Sequence, residues 1–262
     1  MKHVPRKRFG QHFLTDQAVI AAIVAAIRPQ ADDAMVEIGP GLGALTTPLC
    51  STLHHLHVIE IDRDIIAHLR RTYSPSGLSV HAGDVLEFDF SALPCELRVV
   101  GNLPYNISTP LLFHLARYAE RIRDIHFMLQ KEVVRRMVAS PGGGEYGRLS
   151  VMLQYRFDME LVLDVGREAF SPPPQVESAV VRMLPRPPVQ LRAVNQTGLE
   201  QVVRRAFSQR RKTLRNSLAG LLETGDYALL EIAPGLRAEN LRVADYVAIS
   251  NYLAGREKRM AH

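Results

Sequence analysis

The tetrapeptide Asn102-Leu103-Pro104-Tyr105 carries the groups that chemistry on an aromatic amine needs. Asn102 has a side-chain carbonyl that accepts hydrogen bonds. Pro104 restricts Leu103 to extended backbone, which turns the Leu103 carbonyl away from a strand ladder. Tyr105 adds a flat face on which a base stacks. Two acceptors beside a ring suit an exocyclic amino group on a planar base, such as that of adenine. The lone pair of that amine is delocalised into the ring, so the amine is a poor nucleophile. Acceptors on both of its hydrogens favour the pyramidal nitrogen of an attacking amine, which stabilises the transition state more than the ground state. The competing reading is a plain strand-ending turn.

These residues need a sheet edge to hold them. The run Val99-Val100-Gly101 just before them is apolar and β-rich, and reads as a buried strand over residues 97–101 that ends at the carboxyl edge, where open α/β sheets bind ligands. Upstream, Met35-Val36-Glu37-Ile38-Gly39-Pro40-Gly41-Leu42-Gly43 reads as a strand entering a glycine-rich turn, with a helix over 44–53. Its Gly-x-Gly-x-Gly spacing departs from the dinucleotide fingerprint, which argues against NAD. A second strand at 56–61 ends on Glu60, placed after the glycine turn as an acid that takes both ribose hydroxyls; Glu60 is preferred to Asp62 for that role. Asp84 follows a third strand at 78–81 and is placed to accept from the amino group of a bound adenine. His54, His55 and His57 complete no metal-ligand spacing and read as surface-loop histidines.

Further strands are expected at 124–130, 159–165 and 176–184, and helices at 18–27, from Thr109 and at 131–139. The stretch 141–147 holds three successive glycines and reads as a loop or a lid near the site. Pro172, Pro173 and Pro174 hold Phe170 at a fixed place, as a candidate second aromatic wall. Pro185-Arg186-Pro187-Pro188 reads as a linker, which divides the chain into residues 1–187 and 188–262. Beyond it the patterns are helical, the longest at 199–222, with a closing helix at 238–252.

Charge follows the same division. Residues 190–262 hold 12 Lys+Arg against 7 Asp+Glu, which is the whole net charge of +5; residues 1–189 are balanced. That asymmetry favours a polyanionic partner. Arg204, Arg205, Arg210, Arg211, Lys212 and Arg215 are the candidate phosphate contacts, against the alternative of a solvated helix face. Two cysteines far apart in sequence, Cys50 and Cys95, fit a reducing cytosol. The apolar run at 18–27, after Lys2, Arg6, Lys7 and Arg8, is read as a capped helix rather than a signal sequence or a membrane span.

Taken in order, Phe9-Gly10-Gln11-His12-Phe13-Leu14, Glu37 to Gly43, Glu60-Ile61-Asp62, Gly83-Asp84, Asn102 to Tyr105, Phe170-Ser171-Pro172-Pro173-Pro174-Gln175-Val176-Glu177-Ser178-Ala179-Val180 and Phe207-Ser208-Gln209-Arg210-Arg211-Lys212-Thr213-Leu214 resemble the small-subunit (16S) ribosomal RNA adenine dimethyltransferases over nearly the full length. The resemblance implies an α/β, Rossmann-like methyltransferase sheet of seven strands, the last antiparallel, with helices on both faces and a small all-helical RNA-binding domain after it. It implies S-adenosylmethionine as donor, no metal, and a cytoplasmic monomer. The implied acceptors are two adjacent adenosines near the 3′ end of 16S rRNA in the small ribosomal subunit or its precursor, each dimethylated on its exocyclic amine.

By position, His12, Leu14, Gly39, Gly41, Glu60, Asp84 and Asn102 are the implied donor contacts. Asn102, Leu103, Pro104, Tyr105 and Phe170 are the implied catalytic set, with Tyr105 and Phe170 sandwiching the base. Many members of that family have Asn where this chain has His12, so the contact made by His12 stays open. Two alternatives stay open as well: a large-subunit rRNA adenine methyltransferase of the macrolide-resistance type, and a non-catalytic ribosome assembly factor.

Overall fold

In the computed structural model, residues 12–190 and 192–260 are described. The basic residues Lys2, Arg6, Lys7 and Arg8 and the Phe9-Gly10-Gln11 start of the first motif lie outside them.

The chain opens with a two-residue strand, β1 (Phe13–Leu14), and a helix, α1 (Gln17–Ile27), whose N-cap Asp16 accepts from the amides of Ala18 and Val19. Then come β2 (Met35–Ile38), α2 (Thr46–Cys50), β3 (Leu56–Glu60), α3 (Arg63–Thr72), β4 (Leu78–Ala82), β5 (Leu97–Asn102), α4 (Ser108–Ala116) and β6 (Ile122–Gln130). They are followed by α5 (Lys131–Val138), α6 (Arg148–Arg156), β7 (Phe157–Val165), β8 (Phe170–Ser171) and β9 (Ser178–Pro185). The rest is helical: α7 (Gln196–Ala206), α8 (Leu214–Ser217), α9 (Thr224–Leu229) and α10 (Val243–Met260).

Seven strands form one sheet in the order β4-β3-β2-β5-β6-β9-β7. The neighbours from β4 to β6 pair in parallel, and β9 runs antiparallel to β6. This is the Rossmann-like sheet implied above. All four residues of β2 are buried, as a central parallel strand requires. Strand order reverses between β2 and β5, so their carboxyl ends flank the crevice in which such sheets bind ligands.

Gly101 permits the close approach of these two strands. A Cβ there would lie 2.5 Å from the Ile38 carbonyl oxygen, a backbone atom held in the sheet. Gly101→Ala is therefore expected to destabilise the protein by about 1–3 kcal/mol, the usual cost of overpacking. Urea unfolding measures it, and an unchanged midpoint would mean that β2 and β5 separate at no cost.

A buried ion network anchors the opposite edge. Arg98 on β5 is 5% exposed and donates to Asp124 and Asp33 and to the carbonyls of Ile27 and Arg28. Breaking one partner of such a set leaves a buried charge uncompensated.

The observed elements differ from the expected ones in several places, and α3 and α9 have no counterpart among the latter. The helix expected at 44–53 is shortened to Thr46–Cys50. A helix that the sequence reading lacked, α6, fills 148–156. The pattern at 199–222 is not one helix, because Thr213 pairs with Arg237 and the amides of Leu214 and Arg215 donate to Leu236 and Pro234. Amides used in that pairing cannot extend α7. The closing helix starts at Val243 rather than 238, since the Arg242 amide is capped by Asp245 at 2.8 Å. Finally, β1 and β8 pair antiparallel, Phe13 with Ser171 and Leu14 with Phe170, across a sequence gap that no local pattern reveals.

Two compact units divide the chain. One comprises residues up to Val134 together with Asp158–Pro185; the other comprises Arg135–Phe157 and the residues from Arg186 onward. The expected division at 187/188 left 135–157 in the first unit, whereas α6 packs with α7 and α10. Among the described residues, no helix is long and apolar enough to cross a membrane.

Candidate active site

At the carboxyl ends of β2 and β5 the first unit has a cavity of about 350 Å³. His12, Leu14, Gly39, Gly41, Glu60, Asp84, Asn102, Leu103, Pro104 and Tyr105 all line it. Residues separated by more than ninety positions thus converge: Gly39, Gly41, Glu60, Asp84 and the Asn102 to Tyr105 loop lie at or just after strand ends of the seven-stranded sheet, and His12 and Leu14 come from β1 and its approach, paired separately with β8.

The glycine turn is one wall. Gly39 and Gly41 have φ of 65° and 55°, left-handed backbone that a side chain strains. A Cβ on Gly41 would meet the Phe13 ring at 3.3 Å, so glycine also keeps the turn close to β1.

Glu60 is 7% exposed, and its Oε1 accepts from the amides of Ile61 and Asp62 at 2.8 and 2.9 Å. Burial raises its pKa, against the pull of those two amides and that of Gly41. The carboxylate is thereby oriented before any ligand arrives. Asp62 instead caps α3 through the Asp64 amide and is not among the lining residues. Asp84 is exposed at the rim, with Oδ1 accepting from Leu86 at 2.9 Å.

Asn102 donates through Nδ2 to the His12 carbonyl at 3.2 Å. That bond assigns the amide, leaving Oδ1 as the acceptor. The Tyr105 hydroxyl shares a 2.8 Å hydrogen bond with Ser178, which fixes the ring. Burial raises the Tyr105 pKa, opposed by the Ser178 bond.

Phe170 is the exception among the expected residues. It is 3% exposed, belongs to the hydrophobic core and does not line the cavity, because β8 pairing with β1 packs it inward. The ring facing Tyr105 is His12, at a centroid distance of 6.0 Å and an interplanar angle of 26°.

Glu37 is the lining residue whose role the sequence reading missed. It is 2% exposed and accepts from the Thr46 hydroxyl at 2.6 Å. Burial lifts its pKa to about 7; the Thr46 bond opposes this and nearby Glu60 adds to it. The available signal was an acid inside a wholly apolar parallel strand, two residues before the glycine turn.

Other expected features lie elsewhere. His57 is on β3 rather than in a loop, 3.1 Å from His81 Nε2, and burial holds its pKa at about 4. Among the described residues, no group of three or more His, Cys, Asp or Glu could hold a metal ion. In the second unit, Arg204 and Arg205 end α7 and line an open cleft with Gln201 and Ser208. Arg211, Lys212 and Arg215 are exposed. Arg210 bonds to Glu239 and to the Gly144 carbonyl, and the Gly142 amide donates to the Glu239 carbonyl. The 141–147 loop is therefore tied within its own unit.

The residues fit S-adenosylmethionine. The cavity volume is within the range of small-molecule sites, a turn with glycine at 39 and 41 lets backbone approach closely, and an oriented carboxylate stands at the end of β3. Glu60→Ala is expected to weaken donor binding by about 1.5–3 kcal/mol, the range for a hydrogen bond to a charged group. Calorimetry checks it, and unchanged affinity would move the ribose site elsewhere.

A family model described as "Ribosomal RNA adenine dimethylase" matches residues 2–255. The ribosomal RNA small subunit methyltransferase A of Thiobacillus denitrificans is 62% identical over 254 residues, covering 97% of this chain and all of that protein. Among solved structures, a dimethyladenosine transferase from Plasmodium falciparum superposes with a TM-score of 0.78 at 25% identity, covering 95% of this chain and 98% of the other. The 23S rRNA methyltransferase ErmE superposes at 0.70 and 25% identity, covering 92% and 99%.

Proposed function

The chain belongs to the ribosomal RNA adenine dimethylase family, and from that membership we propose that it dimethylates the exocyclic amines of two adjacent adenosines near the 3′ end of 16S rRNA. It is an rRNA adenine methyltransferase. Its substrate is the small ribosomal subunit or a precursor of it, its donor is S-adenosylmethionine, and it works as a cytoplasmic monomer in small-subunit biogenesis.

One observation carries this reading: the Asn102 to Tyr105 loop shares a single cavity with the glycine turn, Glu60 and Asp84. S-adenosylmethionine, when bound, supplies a methyl group on a positively charged sulfur. Glu60 holds the ribose hydroxyls, Asp84 accepts from the donor adenine, and the Gly39 to Gly41 turn admits the rest of the molecule. Asn102 Oδ1 and the Leu103 carbonyl accept from the two hydrogens of the target amine, with the base lying on Tyr105. These acceptors draw the nitrogen lone pair out of conjugation and face the positive charge that develops there. Positioning then supplies most of the remaining rate. The nitrogen that gains a methyl loses a proton to solvent. The exposed cations Arg204, Arg205, Arg210, Arg211, Lys212 and Arg215 contact rRNA phosphates, with Arg210 also bonded to Glu239.

Labelled methyl transfer to small subunits purified from an undermethylated strain tests this, with the product nucleotides identified. Two adjacent dimethyladenosines in 16S rRNA are expected. Label confined to large-subunit rRNA would overturn it in favour of the macrolide-resistance type. No label on either subunit would favour a non-catalytic assembly role.

A further inference from the structure

We infer that Glu37 is the counter-charge for the donor's sulfonium, so that the site holds the cationic donor in preference to the product, whose sulfur is neutral. This rests on the S-adenosylmethionine reading above. The order of the strands places the groups. Asp84 follows β4, Glu60 ends β3 and Asn102 ends β5, and β2 lies between β3 and β5. With adenine at Asp84, ribose at Glu60 and the accepting amine at Asn102, the sulfur that links the ribose to the methyl group falls over β2. Glu37 is the carboxyl of that strand, and it lines the cavity.

The charges around Glu37 are one-sided. Glu37, Glu60 and Asp84 line the cavity, and among the described residues no lysine or arginine does. Glu37 Oε2 accepts from the neutral Thr46 hydroxyl, and among the described residues no cation is paired with it. The elements packed against it add no positive charge. From β3 comes Glu60, and from α2 the Cys50 thiol, pushed up to about 11 by burial and by Glu37 itself. The Tyr73 hydroxyl, at the end of α3, is raised as well, so both groups are neutral near pH 7. Val58 and Val100 are the register partners of Glu37 on β3 and β5. The cation of β5, Arg98, is taken up by Asp33 and Asp124.

A buried carboxylate with no cation beside it is costly, so the free site keeps the proton on Glu37. Burial accordingly lifts its pKa to about 7. A sulfonium over β2 supplies the missing partner. The Glu37 O–H bond then breaks, its proton passes to solvent, and the carboxylate remains as one half of an ion pair. Methyl transfer removes the charge from sulfur, and Glu37 takes a proton back from solvent. The product is left without the ion pair that held the donor.

Calorimetry of S-adenosylmethionine and S-adenosylhomocysteine on the full-length protein and on Glu37→Gln tests this. Titrations are run at pH 6, 7 and 8, each in two buffers of different ionisation enthalpy, which counts the protons released. The wild type's preference for donor over product is expected to rise about tenfold from pH 6 to pH 8, with about nine tenths of a proton released on donor binding at pH 6. Both the rise and the proton are expected to vanish in Glu37→Gln. Glu60 and Asp84 meet parts common to the two ligands, so their titration cancels in the ratio. The α-amino group of each ligand titrates alike with both proteins and cancels between them. Glu37→Met is the second variant if Gln impairs folding. A wild-type ratio that is flat with pH would overturn the proposal, as would a rise and a proton release that persist in the variant. Failure of the wild type to bind the donor at any pH would instead overturn the reading on which the proposal rests.

Discussion

Glu37→Gln shifts the balance of stability with pH by roughly 3 kcal/mol, at about 1.4 kcal/mol per pKa unit. The folded carboxyl has its pKa raised from 4.5 to about 7, chiefly by burial. Between those values the folded protein binds the proton that the unfolded chain releases. The contribution is fully present below pH 4.5 and is lost as pH rises through 7. Glutamine keeps the acceptor for the Thr46 hydroxyl and carries no charge at any pH. The variant is therefore expected to gain on the wild type steadily from pH 4.5 to pH 8. Urea unfolding of both proteins at pH 4.5, 6 and 8 measures the gap. A gap that does not change with pH would mean that Glu37 is ionised throughout.

Asn102→Ala is expected to lower methyl transfer by about a hundredfold or more, the scale for loss of one preorganised polar group. The substitution removes Oδ1 from the amine and also the Nδ2 bond to the His12 carbonyl. Donor affinity has to be measured separately, since Asn102 lines the same cavity as the donor residues. Single turnover on donor-saturated protein isolates the chemical step. A rate near wild type there would remove Asn102 from the transition state.

Both predictions concern residues whose chemistry depends on which strands meet. Asn102 is legible in the sequence because its neighbours are informative: an apolar run before it, then Pro104 and Tyr105. Glu37 is not, because an acid in a strand says nothing of burial until β3 and β5 flank it on both sides.

The sequence by itself determined the seven strands of the sheet, the glycine turn, the acid ending β3 and the Asn102 to Tyr105 loop. Each is set by local rules: alternation or runs of apolar residues, turn residues, and proline geometry. Only the tertiary structure decided that Phe170 turns into the core while His12 faces Tyr105, since β1 and β8 pair across more than 150 residues. It also decided that the pattern at 199–222 breaks, where the amides of Leu214 and Arg215 find partners at 236 and 234. Hydrophobic periodicity reports what a segment buries; it carries no information about which distant backbone satisfies its amides, and every buried amide must be satisfied. The tertiary structure also set Arg210 beside Glu239, left Arg204 and Arg205 on an open cleft, and grouped 135–157 with the C-terminal helices.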